Sequence, residues 1–294
     1  MCGLCGVCIG HQAKRRIQDI DALADTFTRM LLLSEHRGPH ATGVAWVKRD
    51  GSMQVAKEPL PACEFVQTDA FLDWLNGVDR QVTYLMGHTR WPSRGSVRNP
   101  HNNHPLVLPI VDSILEAGNS ACADSNDTCI GQVALTHNGT ISDHAHHLAR
   151  MGLPRTTQVD SELLARIAQR HADEHGIDVE AFLADLAPLD GSMSVSLVAT
   201  TRPDEIILLK GNMPLEVRVH PRRRVLLYAS EAHILDRVIG EEAGWKPLPL
   251  AYGEGLVVNT QAWTMQRLSF TFAGLQTAAG QGYTGTTTRK DRQR

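Results

Sequence analysis

The sequence lacks several features that would assign it to a broad class at once. No apolar run reaches the roughly 18–20 residues that span a bilayer. No basic-then-apolar segment opens the chain as a secretory signal would. The formal net charge is only −3 over 294 residues, and no Gly-rich dinucleotide or Walker loop is present. We therefore expect a cytoplasmic protein that has neither a membrane nor nucleic acid as its partner.

Cysteine is scarce and unevenly distributed. Three of the six cysteines are Cys2, Cys5 and Cys8, which is not the pattern of a disulfide framework. Their spacing matches the start of a bacterial ferredoxin run, but the fourth cysteine and its following proline are missing. The apolar residues between them indicate a buried strand. Cys5 and Cys8 are then small core residues, and an iron–sulfur cluster is the alternative.

The apolar periodicity changes along the chain. Helical spacing predicts helices over 17–34, 69–75, 160–171 and 178–187, whereas alternation and short apolar runs predict strands. The predicted strands are 2–9, 43–48, 53–57, 82–91, 106–111, 132–140, 191–199, 205–210, 215–219, 225–229, 255–259 and 263–268. Strands and helices that follow one another in blocks favour a layered α+β domain over repeated βαβ units.

Two segments differ in composition from the rest. Residues 112–130 are rich in Ser, Asn, Asp and Ala, which predicts a surface insertion. Cys122 and Cys129 lie within it, where they could pair or bind metal or simply be exposed. From 273 to 294 the chain is rich in Gly, Thr and Gln and ends in basic residues, which predicts a flexible tail. We therefore predict one domain over 2–272.

Three histidines form a cluster after the strand that ends near 140. His144, His146 and His147 lie where a helix is expected to begin. Such a cluster can bind metal. A solvated polar face is the interpretation that we favour, because no carboxylate or cysteine ligand is paired with the histidines.

The second residue, Cys2, has the chemistry of a nucleophile. Removal of Met1 would leave the thiol and a free α-amine on one residue. Such an amine titrates near 7.7–8.0, so it can accept the thiol proton directly or through one water at about neutral pH. A nucleophile and its base would then share a single residue.

Six short motifs occur in an order that resembles the glutaminase domain of the class II glutamine amidotransferases. This family of N-terminal nucleophile hydrolases includes the glutaminase halves of glucosamine-6-phosphate synthase, phosphoribosylpyrophosphate amidotransferase and asparagine synthetase. The resemblance covers residues 2–260. The motifs are Cys2-Gly3, His36-Arg37-Gly38, Gly87-His88-Thr89-Arg90-Trp91, His104-Pro105, His137-Asn138-Gly139 and Val159-Asp160-Ser161-Glu162.

The resemblance implies a fold and a set of roles. The fold is a four-layer αββα sandwich of two mainly antiparallel sheets flanked by helices. Cys2 would attack the glutamine amide and form a thioester, while the Asn138 amide and the Gly139 N–H would stabilise the oxyanion. Arg90 would bind the α-carboxylate as a planar fork, and Asp160, placed as a helix N-cap, the α-ammonium group. The resemblance also implies that Trp91, Ser93 and His104 line the pocket, that Arg37 is a structural brace, and that there is no cofactor or metal.

The same resemblance implies partners. L-glutamine would be the substrate, and a separate synthetase or ligase subunit would consume the ammonia, since no acceptor site is recognisable in the sequence. Two other readings remain open. The terminus could hydrolyse a different amide, or the chain could be a non-catalytic regulatory module with the same fold.

Overall fold

A computed structural model of the protein describes residues 1–111 and 129–280. Most of its strands form two sheets. The seven strands of the first sheet are β1 (Gly3–Ile9), β2 (Ala41–Lys48), β3 (Met53–Glu58), β4 (Val82–Arg90), β11 (Glu216–His220), β12 (Val225–Ala229) and β13 (Lys246–Pro247). The six of the second are β5 (Leu106–Val111), β6 (Cys129–Ile141), β9 (Gly191–Ala199), β10 (Glu205–Lys210), β14 (Glu254–Asn259) and β15 (Thr264–Ser269). Two short strands, β7 (Ala172–Asp173) and β8 (Gly176–Ile177), pair with each other.

Strand order places the start of the chain at the centre of the first sheet. The order is β13-β11-β12-β1-β4-β2-β3 in that sheet and β15-β14-β10-β9-β6-β5 in the second. All neighbouring strands of both sheets are antiparallel. β1 is thus hydrogen-bonded on both edges, and every one of its residues is buried.

Helices cover the outer face of each sheet. The helices that pack on the first sheet are α1 (Ile17–Ser34), α2 (Ala62–Phe65), α3 (Asp69–Asn76) and α7 (Ala232–Ile239). Those on the second are α4 (His144–Arg150), α5 (Ser161–Arg170) and α6 (Val179–Leu186). A third apolar cluster, which includes Leu4, Met86 and Leu208, fills the space between the two sheets. The predicted four-layer αββα class is confirmed.

The alternation of side chains along β1 explains why it fits both layers. Cys5, Val7 and Ile9 face the helices, whereas Leu4 and Cys8 face the second sheet. Gly6 is required by its surroundings, since a Cβ there would lie 2.4 Å from the ring of Tyr228. Burial raises the pKa of the Cys5 thiol to about 12. This value is consistent with a packing role for Cys5.

Two predicted segments, the insertion and the tail, contain regular structure that was not expected from the sequence. β6 begins at Cys129, so the last two residues of the predicted 112–130 insertion belong to this strand, and Cys129 pairs with Val111 of β5. The other residues of that insertion, Cys122 among them, lie outside the described ranges. The predicted flexible tail starts with a helix, α8 (Ala273–Gly280), whose first N–H groups donate to the carbonyls of Ala187 and Leu189. Phe272, just before this helix, and Leu275, in its first turn, pack on the apolar cluster between the second sheet and its helices. Composition alone does not indicate this contact. The domain limits stay predictions.

None of the described helices is both long and apolar enough to cross a bilayer.

Candidate active site

Cys2 lies immediately ahead of β1, at the edge where β4 ends. Its thiol donates to the carbonyl oxygen of Trp91, with Sγ and O 3.5 Å apart. Gly3 allows β1 to approach β4 closely, because a Cβ at this position would lie 2.6 Å from Oγ1 of Thr89. The nucleophile candidate is therefore attached directly to the most central strand of its sheet.

The backbone of Cys2 is held from a second direction by Arg37. The Nε–H of Arg37 donates to the Cys2 carbonyl at 2.8 Å, and its Nη1 pairs with the carboxylate of Glu231. Arg37 is buried and lies in a short 3-10 turn, Glu35–Arg37, that directly follows α1. The end of α1, the start of β1 and the start of α7 are joined through this one guanidinium.

Three charged or ionisable groups influence one another around the thiol. Burial raises the pKa of Cys2, and the Asp160 carboxylate adds to this increase, whereas the Arg90 guanidinium opposes it. Burial likewise lowers the pKa of Arg90, while Cys2 and Asp160 act to raise it. A cation and an anion thus lie within electrostatic reach of the same sulfur atom.

Arg90, the last residue of β4, holds the loop that follows it. Its side chain is buried, and its Nη1 donates to Oδ1 of Asn103 at 2.6 Å. Its Nη2 donates to the carbonyls of Arg94 and Gly95. These bonds use three of the five N–H groups of a guanidinium, and no described residue takes the other two. Arg90 therefore organises a loop while two donors stay available.

The end of β6 contributes Asn138 and Gly139. Asn138 is 1% exposed, yet neither its amide nitrogen nor its amide oxygen has a hydrogen-bond partner among the described residues. An orphaned buried amide is costly unless something else satisfies it. Gly139 adopts φ +149°, and a Cβ there would lie 2.0 Å from the carbonyl oxygen of Ser192. Only glycine fits this close approach of β6 to β9.

Asp160 immediately precedes α5, but its side chain does not cap the helix as the sequence predicted. Its Oδ2 instead accepts from the backbone N–H of Ile141 at 2.6 Å. The carboxylate is buried, and no described donor binds its Oδ1. Asp160 thereby ties the start of α5 to the end of β6 and leaves one oxygen open.

Three histidines are buried near the site: His88 and His104 pack on each other, and His137 lies on the face of β6 towards α5, where its Nδ1 is 2.8 Å from Oγ of Ser161. The rings of His88 and His104 have centroids 4.2 Å apart, and Nε2 of His88 lies 3.1 Å from the carbonyl oxygen of His137. Burial lowers the pKa of His88 to about 3 and that of His104 well below its usual value. Neither ring nitrogen of His104 has a described partner. The rings are therefore neutral, and His104 has two unmet polar atoms.

Two of the predicted pocket residues lie further out. The ring of Trp91 is 50% exposed and packs edge-on against His40, with centroids 4.9 Å apart. Ser93 is exposed on the loop after β4 and makes no hydrogen bond with another described residue. The structure brings the backbone of Trp91, rather than its ring, to Cys2.

Sequence reasoning missed residues that support this site. Asn103 fixes Arg90, and Lys57 donates to the carbonyls of Asn103 and Pro105. Glu162 is buried and accepts four hydrogen bonds from the backbone and hydroxyl groups of Thr156 and Thr157. The signal for Asn103 was its place in the polar run before His104-Pro105. The partners of Lys57 lie 46 and 48 positions away, so no local pattern indicates them. Those of Glu162 lie only five and six positions away, in the loop before α5.

The chain is similar to proteins of known activity. No family model matches the chain. It is 27% identical over 224 residues to glutamine–fructose-6-phosphate aminotransferase (isomerizing) from Gloeobacter violaceus, and 26% identical over 220 residues to the protein of that name from Aeropyrum pernix. Each match covers 74% of this chain and 30% of the relative. The chain thus spans about a third of the length of the curated relatives that it matches.

A solved structure shares the fold. It is glutamine phosphoribosylpyrophosphate amidotransferase from B. subtilis in complex with ADP and GMP. The TM-score is 0.64 at 20% identity, and the match covers 92% of this chain and 49% of that one. The N-terminal nucleophile hydrolase fold predicted from the motifs is confirmed.

Proposed function

Because the chain is similar to class II glutamine amidotransferases, we propose that it hydrolyses the side-chain amide of L-glutamine to glutamate and ammonia. One observation carries the proposal: the Cys2 thiol donates to the carbonyl of Trp91, the residue that follows the buried Arg90. The buried Asp160 carboxylate is near enough to raise the pKa of the same thiol. A free amino acid presents one carboxylate and one ammonium group. A buried cation and anion beside a nucleophile match that head group.

The nucleophile in this proposal is Cys2 after removal of Met1. The amide of glutamine is a poor electrophile, so attack requires a thiolate. Burial raises the pKa of the thiol, which makes a neighbouring base necessary. The α-amine freed on Cys2, with a pKa of about 7.7–8.0, can take the thiol proton through one water.

The proposed reaction has two stages, formation of a thioester on Cys2 and hydrolysis of that thioester. Sγ bonds to the amide carbon, and the carbonyl π electrons move to oxygen to give a tetrahedral oxyanion. Collapse of this species breaks the C–N bond, and the proton held by the α-amine leaves with the nitrogen as ammonia. A thioester to Cys2 remains. Water, deprotonated by the same amine, then attacks the thioester, which releases glutamate and the thiol.

Asn138 and Gly139 are proposed to stabilise the oxyanion. The unpartnered amide of Asn138 is a donor without a role in the fold, and the half-buried Gly139 follows it directly on β6. Removing one donor of this kind typically raises a barrier by about 2.7–4 kcal/mol.

The substrate head group is assigned to Arg90 and Asp160. One of the Arg90 N–H groups that no described residue takes would bind the α-carboxylate, and Oδ1 of Asp160 would bind the α-ammonium group. Burial lowers the pKa of the His104 ring, which has no described partner, and the Arg90 guanidinium is near enough to lower it further; His104 is proposed to line the pocket. Trp91 and Ser93 are proposed to line the pocket mouth. Arg37 is proposed to be a structural brace, since its contact with Cys2 is to the carbonyl oxygen and not to the thiol.

The ammonia is proposed to pass to a separate synthetase or ligase. At neutral pH ammonia released to water is largely protonated and lost as a nucleophile, so a protected route has value. The exposed loop after Arg90, with the ring of Trp91 on its rim, would be covered by such a partner. Co-purification of the tagged chain followed by mass spectrometry tests this. Full glutaminase turnover without any partner would count against it.

The glutaminase reaction is tested by intact mass after incubation with 6-diazo-5-oxo-norleucine, a glutamine analogue that alkylates such a cysteine. We expect one adduct on a peptide that begins at Cys2. An adduct elsewhere, or active protein that retains Met1, would overturn the mechanism. Turnover of other amides but not of glutamine would favour the broader amidohydrolase reading.

A further inference from the structure

Two histidines and a glutamate converge on the far side of Arg37 from Cys2. Nε2 of His36 lies 3.0 Å from Oε2 of Glu231, and Nδ1 of His233 lies 3.2 Å from the same oxygen. All three ligand atoms lie within 4.8 Å of one another. Among the described residues, this is the group in which three side chains of metal-binding type come together; His144, His146 and His147 do not.

The spacing of these atoms suits a tetrahedral ion. Zn²⁺ binds imidazole nitrogen and carboxylate oxygen at about 2.0–2.2 Å, which places neighbouring ligand atoms about 3.3–3.6 Å apart in a tetrahedron. The two measured N–O separations are within a few tenths of an ångström of this range. Two imidazoles and one carboxylate form an established ligand set for Zn²⁺, with the fourth position left to water.

The hydrogen bonding of His36 leaves its Nε2 directed at Glu231. Its Nδ1 lies 2.8 Å from the carbonyl oxygen of Leu33, so Nδ1 must carry a proton and donate it. Nε2 faces the carboxylate oxygen of Glu231 at 3.0 Å. Either a second proton on the ring or a metal ion must lie between these two atoms, and a metal ion can replace that proton. A backbone carbonyl that holds the distal N–H is also the usual outer support of a metal-bound histidine.

Glu231 has the outer support that a metal-bound carboxylate has. Arg37 pairs with its Oε1, which leaves Oε2 to the two histidines. The carboxylate is therefore held in place by the guanidinium, with Oε2 directed at the two imidazoles.

We propose that His36, Glu231 and His233 form a binding site for a divalent transition-metal ion of the Zn²⁺ class. Imidazole ligands favour this class over Ca²⁺ and Mg²⁺, which take oxygen ligands. The side chains of His36 and His233 are 51% and 53% exposed, so the ion exchanges with solution. Because Arg37 joins Glu231 to the Cys2 carbonyl, the site is one side chain away from the nucleophile candidate.

Titration with Zn²⁺ in competition with a chromophoric chelator tests the site. The protein is the full chain with Cys2→Ser, so that the nearby thiol cannot bind the ion. We expect one Zn²⁺ per chain, and His36→Ala or His233→Ala should weaken its affinity by about tenfold or more. The matched control, His146→Ala with His147→Ala, removes two other neighbouring histidines and should leave the affinity unchanged. Equal affinities in all proteins, or a loss only in the control, would overturn the proposal.

Cu²⁺ electron paramagnetic resonance provides a second measurement, should an alanine variant fail to fold. In the Cys2→Ser chain we expect superhyperfine splitting from two imidazole nitrogens. His233→Gln, which keeps a polar side chain of similar size, should reduce this splitting to that of one nitrogen. A spectrum without nitrogen coupling, or one that His233→Gln does not alter, would contradict the site.

Discussion

The Nε–H of Arg37 donates to the carbonyl oxygen of Cys2 at 2.8 Å, although the two residues are 35 positions apart. The same guanidinium pairs with Glu231, 194 positions further along the chain. The backbone of the nucleophile candidate is thus positioned by a group that does not touch the thiol. Its effect should be on geometry and not on chemistry.

Arg37→Lys should lower kcat for glutamine hydrolysis while KM changes less than twofold. Lysine keeps the charge for Glu231 but has no Nε–H for the Cys2 carbonyl. A lost hydrogen bond of about 0.5–1.5 kcal/mol corresponds to about a two- to tenfold decrease. Steady-state kinetics measures it. Arg29→Lys is the control, because Arg29 donates to a distant carbonyl, that of Arg237. An increase in KM at constant kcat would indicate that Arg37 acts on the substrate instead.

Asn138→Ala should separate activity from stability. If the Asn138 amide stabilises the oxyanion, kcat decreases by about 10²–10³. The folded protein loses no hydrogen bond, since that amide has no described partner, so the thermal midpoint should stay constant or rise.

The control for Asn138 lies two residues earlier on the same strand. Oγ1 of Thr136 is bonded to Oγ of Ser196 at 2.6 Å. Thr136→Ala should destabilise the protein by about 0.5–1.5 kcal/mol and leave kcat unchanged. Calorimetry measures the thermal midpoint of both variants, and steady-state kinetics measures their kcat. An Asn138→Ala protein that is less stable but fully active would refute the assigned role.

Asp160→Asn should reduce kcat/KM for glutamine by about ten- to hundredfold, the value of a charge-assisted hydrogen bond of about 1.5–3 kcal/mol. Asparagine still accepts from the Ile141 N–H through its carbonyl oxygen, so the fold is retained. For an analogue without the α-ammonium group, 5-amino-5-oxopentanoate, the variant and the native protein should differ little.

The matched control is Asp178→Asn, at a carboxylate that also accepts one backbone N–H, that of Ala181. Its kcat/KM for glutamine should equal that of the native protein. Equal losses for glutamine and for the analogue in Asp160→Asn would show that Asp160 supports the site without contacting the ammonium group.

Alkylation of Cys2 should reveal the role of the α-amine. With Met1 in place, burial raises the pKa of the thiol above its ordinary value, so the rate with iodoacetamide should increase tenfold per pH unit through pH 8. Without Met1, an α-amine with a pKa near 7.7–8.0 should make the rate level off in about that range. Mass spectrometry follows the modified peptide. Identical profiles for the two forms would exclude the amine as base.

Acid should destabilise the protein through its buried histidines. The pKa of His88 is about 3 in the folded state and about 6.5 when unfolded. Above pH 6.5 the ring is neutral in both states, and the free energy of unfolding has its full value. As the pH decreases from 6.5 towards 3, only the unfolded chain takes up the proton, so the free energy of unfolding decreases. One such proton gives a slope of up to about 1.4 kcal/mol per pH unit.

His88→Gln should therefore flatten the dependence of the unfolding free energy on pH between 6.5 and 4, as measured by urea titration. His11→Gln is the control, since His11 is exposed. Parallel curves for the native protein and for His88→Gln would refute the interpretation.

Local patterns were sufficient for most of the fold. α1 matched the predicted limits of 17–34 because its apolar residues keep helical spacing throughout. β9 followed from alternation, and β10 and β12 from short apolar runs. The short β13 and the pair β7 and β8 have too few residues for a pattern. α8 was missed because its docking depends on Phe272 and on backbone bonds to a distant segment.

The candidate site, too, could be predicted from the sequence only in part. The motifs located Cys2, Arg90, Asn138 and Asp160, since their order along the chain is visible in the sequence. Their surroundings are not visible there. Asp160 has the position of a helix cap, yet its carboxylate binds the Ile141 N–H, because β6 ends beside the start of α5. That choice depends on tertiary packing, which no local spacing indicates.

The central place of β1 has a consequence for the order of events during synthesis. β1 pairs with β4 through Gly3 and Thr89, but its other edge pairs with β12, where Cys5 lies opposite Ala229. Non-local pairing of this kind must wait for the later strand. Until residue 229 has left the ribosome, only the edge of β1 that faces β4 can be paired. The strand that directly follows Cys2 is thus synthesised before all the other strands of its sheet and is among the last to gain all of its neighbours.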